Sequence, residues 1–300
     1  NQVLAFEPPH FGDNATFGGA IAAGLAGPGR ISAGNLRDFV LGARILDGKG
    51  QDLSFGGKVM KNVAGYDVSR LLPGSMGTLS LLLEASVKVL PRPAATTSLR
   101  CNITQERALR LLNEWAGQPL PLSASCWIGS SKGGDGELTI RLAGAVAAVK
   151  AAIPLMGAAV NATELDPQVA TEFWATLREQ QLPVFSKLSS DETLYRLALP
   201  AACGPLTLEN TSSEIALEWH GQQRWIKAPG DDATFEAMKK IASANGGHAT
   251  RFKQGANVDS NKQRFTLLSE QAHSTALEAV QARLRAAFDP AGVFATSRLP

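Results

Sequence analysis

The residues best placed to do chemistry in this chain are those with almost no side chain. Thr16 to Asn35 reads T-F-G-G-A-I-A-A-G-L-A-G-P-G-R-I-S-A-G-N, and Lys58 to Thr78 reads K-V-M-K-N-V-A-G-Y-D-V-S-R-L-L-P-G-S-M-G-T. Glycine takes a positive φ without steric cost and leaves its N–H open to a close neighbour. Runs of free N–H groups at turns and helix starts attract negative charge, so a diphosphate-bearing ligand suits such a backbone. Tight turns are built from the same residues, and Gly27-Pro28-Gly29 reads most simply as a turn. Gly27, Gly29 and Gly34 do not have the G-x-G-x-x-G spacing of a dinucleotide-binding strand–helix turn, and there is no G-x-x-x-x-G-K-[ST] phosphate loop. The case rests on two bare stretches lying close together in sequence with a strand hairpin between them.

Other chemistries have less support. The histidines His10, His220, His248 and His273 show no H-x-x-x-H or H-x-H pairing, which argues against a metal site built from this chain. Cys101, Cys126 and Cys203 are odd in number, far apart and without C-x-x-C spacing, so buried structural thiols in a reducing cytoplasm are expected. A formal charge of +2 with no basic run gives no reason to invoke nucleic acid. No apolar stretch approaches the roughly 18 residues of a membrane span. The chain opens at Asn1 on V-L-A-F-E-P-P-H, a strand tail and a Pro-stiffened turn, so a natural N-terminal portion is expected to precede it.

The elements that must position these residues follow in order. Thr16 sits where a helix N-cap would, ahead of Gly18 to Leu25, and the opening N–H groups of that helix would face a ligand. Phe39 to Leu46 and Gln51 to Phe55 read as strands around the turn Asp47-Gly48-Lys49-Gly50. Asp67 to Leu72 reads as one or two helical turns, Ser75 to Thr78 as a turn, and Leu79 to Leu90 as a long strand. Pro91-Arg92-Pro93 marks a domain boundary. Beyond it, strands at 96–103, 122–128, 137–142, 194–199, 214–219, 223–227 and 248–253 interleave with helices at 104–115, 145–156, 166–181 and 231–244. That pattern predicts an antiparallel sheet covered on one side, an α+β arrangement. Residues 270–288 read as the longest helix.

With those residues in view, T-F-G-G-A-I-A-A-G-L-A-G-P-G-R, R-D-F-V-L-G-A-R-I-L-D-G-K-G and F-G-G-K-V-M-K-N-V-A-G-Y-D-V-S-R-L-L-P-G-S-M-G-T-L resemble the FAD domain of the vanillyl-alcohol-oxidase (PCMH-type) flavoproteins. Within that family the chain more closely resembles the E-type subunits of bacterial glycolate oxidases. L-Y-R-L-A-L-P, E-W-H-G-Q-Q-R-W, G-G-H-A-T and A-A-F-D-P-A-G-V-F extend it over nearly the whole chain. The resemblance implies the second half of a PCMH-type FAD-binding domain over 1–92, its opening subdomain lying before Asn1. An α/β cap with an antiparallel sheet would follow over 93–268, then a C-terminal helix and tail over 269–300. It implies non-covalent FAD contacted by Thr16, Gly18 and Gly19 (T-x-G-G), then by Gly24, Arg30, Gly34, Asn35 and Asp38. Gly74, Ser75, Gly77, Thr78 and Leu79 would follow in a G-S-x-G-T-L turn. It also implies a sister FAD subunit, an iron–sulfur subunit and a small 2-hydroxy acid substrate, in the cytoplasm or membrane-associated through those partners.

Two departures from the family pattern stand out. Met76 replaces the Glu of related D-type subunits, and D-P-A-G-V-F-A-T-S-R stands where relatives have F/L-N-P-G-R, which weakens any contact from 295–297. The H-G-D-G-N-x-H segment of relatives that oxidise 2-hydroxy acids directly has no counterpart here. No side chain is singled out as acid or base. His220 is expected to be solvent-exposed in a hairpin turn, and His248 to cap or pack a strand start. Tyr66-Asp67 reads either as a phenol near the flavin or as a buried hydrogen-bonded pair. Lys58, Lys61 and Arg70 read as anion-facing or merely solvated. Three readings stay open: an electron-transferring FAD subunit, a partner that keeps the fold without the cofactor, and a free-standing FAD oxidase.

Overall fold

The computed structural model describes residues 1–57, 67–206, 208, 214–258 and 274–294. The chain divides into two units, one formed by Asn1–Arg92 with Leu267–Pro300, the other by Pro93–Thr266.

The first unit begins with β1 (Gln2–Val3), α1 (Phe17–Ala23), α2 (Arg30–Ala33), α3 (Leu36–Phe39), β2 (Val40–Leu46), β3 (Asp52–Gly56), β4 (Leu81–Val87) and β5 (Leu90–Pro91). Its three-stranded sheet runs β3-β2-β4, and β1 pairs with β5. Helix α1 is seven residues long and carries two glycines, so local propensity alone cannot hold it. Packing does: Ile21 is buried with Phe6, Leu36, Phe39 and Val40, and the Phe6 and Phe39 rings lie 5.3 Å apart. Full burial of one such side chain contributes about 1.5–3 kcal/mol, enough to offset both glycines.

The strand expected from Phe39 begins at Val40, because Asn35 and Asp38 form a capping box that winds Leu36–Phe39 into a helical turn. The single strand expected over Leu79–Leu90 is split into β4 and β5, and between them the Lys88 N–H bonds to Phe39 O at 2.7 Å.

The second unit contains β6 (Ala95–Thr104), α4 (Gln105–Ala116), β7 (Leu122–Ser130), β8 (Asp135–Gly144), α5 (Val146–Val160), β9 (Thr163–Glu164), α6 (Pro167–Arg178) and α7 (Pro183–Ser186). It continues with β10 (Glu192–Ala198), β11 (Glu214–Glu218), β12 (Gln223–Pro229), α8 (Asp232–Ala244) and β13 (His248–Gln254). Thr104, Asp166 and Asp231 cap α4, α6 and α8 by accepting backbone N–H groups.

Eight strands form one sheet in the order β13-β10-β12-β11-β7-β8-β6-β9, every pairing antiparallel. On one face Leu112, Met156 and Met238 from α4, α5 and α8 pack against Leu138, Ile140 and Leu217. On the other, Trp174 and Leu177 of α6 and Phe185 of α7 pack against Cys126, Ala216 and Trp225. The sheet is therefore covered on both faces, not one. The reason is visible in β11, where Ile215 and Leu217 enter one core and Ala216 the other: an unbroken apolar run on a strand marks burial on both sides.

The chain then returns to the first unit as α9, described from Ser274 to Phe288. Phe288 O accepts the Gly48 N–H at 2.9 Å, and the Phe288 ring lies 6.2 Å from Phe55. The Asp289 carboxylate accepts the Val293 and Phe294 N–H groups at 2.8 and 2.7 Å. A Cβ on Gly48 would collide with Asp289, so the hairpin turn fits the helix end closely.

Candidate site around the first helix and its neighbouring turn

Helix α1 opens on Thr16, whose hydroxyl accepts the Gly19 N–H at 3.0 Å. The N–H groups of Phe17 and Gly18 find no acceptor among the described residues. A side chain at Gly18 would touch only Leu82, at 3.9 Å. The helix closes on Gly24, left-handed at φ 64°, whose N–H reaches both Ala20 O and Ile21 O at 3.0 Å.

The turn at 73–78 lies against that closing end. Gly74 N–H bonds to Ile21 O at 3.1 Å and Met76 N–H to Ala22 O at 2.8 Å, so the two bare stretches meet. Within the turn Gly74, Met76 and Gly77 are all left-handed, at φ 83°, 53° and 75°. Ser75 O accepts both the N–H and the hydroxyl of Thr78, at 2.9 and 2.7 Å. A Cβ on Gly74 or Gly77 would meet nothing within 4 Å, and the Gly77 N–H has no acceptor among the described residues. Leu79 is buried.

A groove of about 520 Å³ runs beside α1, lined by Leu4, residues 8–15, and Thr16, Gly19, Ala20 and Ala23 of the helix. That size falls within the range of ligand sites. Of the residues proposed from the sequence, Thr16 and Gly19 line the groove, while the 74–79 turn meets α1 at its other end. The segment Pro8 to Ala15, with His10 and Asp13, lines the groove but was not marked as a site in the sequence. Its signal was present: P-P-H-F-G-D-N-A leads straight into T-F-G-G.

The remaining predicted contacts have structural work of their own. Asn35 Oδ1 accepts the Leu36 N–H at 2.8 Å, and Asp38 Oδ2 accepts the Asn35 N–H at 3.1 Å. Arg30 is half-buried, and burial holds its pKa below the usual arginine value although Asp38 pulls the other way. Gly34 turns the chain out of α2 at φ 102°. Gly29 N–H bonds to Glu7 Oε2 at 2.6 Å, tying the G-P-G turn to the N-terminal segment.

Among the other candidates, Arg70 pairs with Asp67 at 2.8 Å, and Lys58, Lys61, Tyr66 and the tail at 295–297 lie outside the described residues. His248 is exposed at the start of β13. His220 is only 5 % exposed, contrary to the sequence expectation, because the hairpin folds inward. Trp219, His220 and Gly221 are consecutively left-handed, and Ser125 Oγ accepts the His220 N–H at 3.1 Å and lies 3.3 Å from its Nδ1. Burial depresses the imidazole pKa to about 4, so His220 is neutral at pH 7. Cys101 and Cys126 are buried, with thiols shifted up by desolvation, whereas Cys203 is half-buried. No group of three potential metal ligands occurs among the described residues.

No protein-family model matches the chain. It is 44 % identical over 298 residues to glycolate oxidase subunit GlcE of Escherichia coli (strain K12), covering 99 % of this chain and 75 % of that protein. It is 35 % identical over 118 residues to D-lactate dehydrogenase of Archaeoglobus fulgidus, 39 % of this chain and 27 % of that protein. Over 85 residues it is 40 % identical to glycolate oxidase subunit GlcD of Bacillus subtilis, 28 % of this chain and 18 % of that one. Alkyldihydroxyacetonephosphate synthase superposes with a TM-score of 0.59 at 13 % identity, over 97 % of this chain and 60 % of that one. A variant of berberine bridge enzyme gives 0.51 at 17 %, over 93 % and 68 %. These structural likenesses speak to fold alone, that of the PCMH-type FAD-binding flavoenzymes. The 44 % identity across 75 % of GlcE settles the kinship: the chain belongs to the glycolate oxidase GlcE family of flavin-dependent oxidoreductases acting on CH–OH groups.

Proposed function

We propose that this chain is the FAD-binding subunit of a multi-subunit glycolate (2-hydroxy acid) oxidase or dehydrogenase. It takes electrons from the substrate or from a sister flavoprotein and passes them to an iron–sulfur subunit. The observation that carries this reading is the 44 % identity to GlcE along 99 % of the chain, with the bare segments at 16–24 and 74–78 packed together within it. The fit to FAD rests on a cradle without side chains: Gly18, Gly74 and Gly77 face space that a Cβ could enter. Thr16, Gly18, Gly19, Gly74, Ser75, Gly77 and Thr78 would approach the cofactor through backbone. Gly24, Arg30, Gly34, Asn35, Asp38 and Leu79 would shape the loops that present them. FAD supplies the two-electron chemistry when bound, and the protein supplies placement, electrostatics and exclusion of water.

Domain roles follow from the same reading. Residues 1–92 are the second FAD subdomain, 93–268 the cap, and 269–300 a C-terminal helix and tail. No helix among the described residues is long and apolar enough to cross a membrane. On the family reading we place the subunit in the cytoplasm, with any membrane association made through its partner subunits. An absorbance scan of the full-length protein with added FAD tests the reading: flavin bands that stay with the protein on gel filtration are expected. A folded protein that retains no flavin with or without its partners would overturn it and favour a structural subunit that keeps the fold without the cofactor, a reading motivated by Met76 in place of the related subunits' Glu.

A further inference from the structure

We propose that Gly24 is a positioning residue: it lets the end of α1 lie directly on the Gly74 backbone and so fuses the T-x-G-G segment and the G-S-M-G-T turn into one body. The inference rests on the FAD reading above and concerns how the cradle keeps its shape. A Cβ on Gly24 would sit 2.6 Å from Gly74 N and 2.7 Å from Gly74 Cα. These are backbone atoms, which cannot swing aside as a side chain would. The same junction carries the bonds from Gly74 N–H to Ile21 O and from Met76 N–H to Ala22 O, at 3.1 and 2.8 Å. Those carbonyls belong to the last turn of α1, where a helix leaves its acceptors unsatisfied. The turn therefore caps the helix.

Met76 belongs to the same junction. It is left-handed at φ 53°, a conformation that a residue with a Cβ rarely adopts. In that shape its N–H bonds to Ala22 O, so the left-handed turn and the helix end are held together at this residue. With the two segments joined, the open N–H groups at Gly18 and Gly77 keep a fixed spacing before any ligand arrives, which is the condition for binding without reorganisation. Gly24 itself touches no ligand in this scheme; it acts through Gly74.

The test uses the full-length protein stripped of flavin and titrated with FAD, with affinity and the visible flavin bands as readouts. Gly24→Ala is expected to weaken FAD by about tenfold or more and to shift the flavin bands, since small displacements of positioning groups are costly. Gly50→Ala, left-handed at φ 76° in a hairpin turn with nothing within 4 Å of its Cβ, controls for backbone strain and is expected to leave both readouts unchanged. Wild-type affinity and bands in Gly24→Ala would overturn the proposal. Should that variant fail to fold, amide exchange of the flavin-free wild type decides: Gly24, Gly74 and Met76 are expected to open in one event with a common denaturant dependence. Separate openings would overturn it. Failure of the wild type to bind FAD at all would instead sink the cofactor reading, and the positioning role with it.

Discussion

Two pairs of glycines, Gly129 and Gly136 in the second unit and Gly74 and Gly77 in the first, do opposite things. In the second, Gly129 and Gly136 are small so that Trp127 can be large: a Cβ on Gly129 would lie 2.5 Å from the indole, one on Gly136 would collide with it, and the ring is fully buried. The Trp127 Nε1–H is satisfied by Ile103 O at 2.9 Å. In the first unit, Gly74 and Gly77 have no neighbour to make room for. One set of glycines serves a core that is already filled, and the other leaves backbone facing open space. The same residue type therefore reports packing in one place and a candidate binding surface in the other, and only the neighbourhood tells them apart.

The contrast can be broken most forcefully at Trp127. Trp127→Ala is expected to destabilise the second unit by about 3–5 kcal/mol through cavity formation. Urea unfolding followed by circular dichroism measures this, and a loss below about 1 kcal/mol would show that the glycine-framed ring is not the keystone of that core.

His220 comes next. Its folded pKa of about 4 lies below the ordinary histidine value of 6.5, so the fold favours the neutral ring. That contribution is fully present above pH 6.5 and is lost as the pH falls through 4, the total loss being about 3 kcal/mol. His220→Asn, which tolerates the left-handed backbone, should flatten this part of the stability–pH curve. Parallel curves for the variant and the wild type would remove His220 as the cause.

The smallest effect sharpens the comparison most. Gly77→Ala and Gly133→Ala each place a Cβ in open space at positive φ, 75° and 95°, so both should cost about 1–2 kcal/mol of stability. Only Gly77→Ala should weaken FAD binding. Equal affinities in the two variants, measured by flavin fluorescence, would mean that the open space at Gly77 is incidental.

Much of the architecture was legible because local chemistry and burial agree. Thr104, Asp166 and Asp231 announce helix starts, and α4, α6 and α8 begin there. The failures came where tertiary contacts decide. Nothing local says that His220 folds inward, since the signal lies in Ser125, which reaches it from another strand. The capping box at Asn35 and Asp38 was readable as N-x-x-D, yet the apolar run that follows favoured a strand. At the candidate site the sequence marked the bare segments but could not sort them. Gly24 is pressed against Gly74 while Gly77 stands open, a distinction held in distances that residue types do not encode.

The seat of Phe288 and Asp289 on the Asp47–Gly50 hairpin has a consequence for how the chain matures. The first unit is discontinuous, because α9 docks on a turn made before the whole second unit is synthesised. On the ribosome the second unit can fold as it emerges, whereas the first stays unfinished until α9 is released. Completion of the first unit thus waits for α9, and a nascent chain stalled ahead of α9 would carry an intact eight-stranded sheet and an unsealed hairpin.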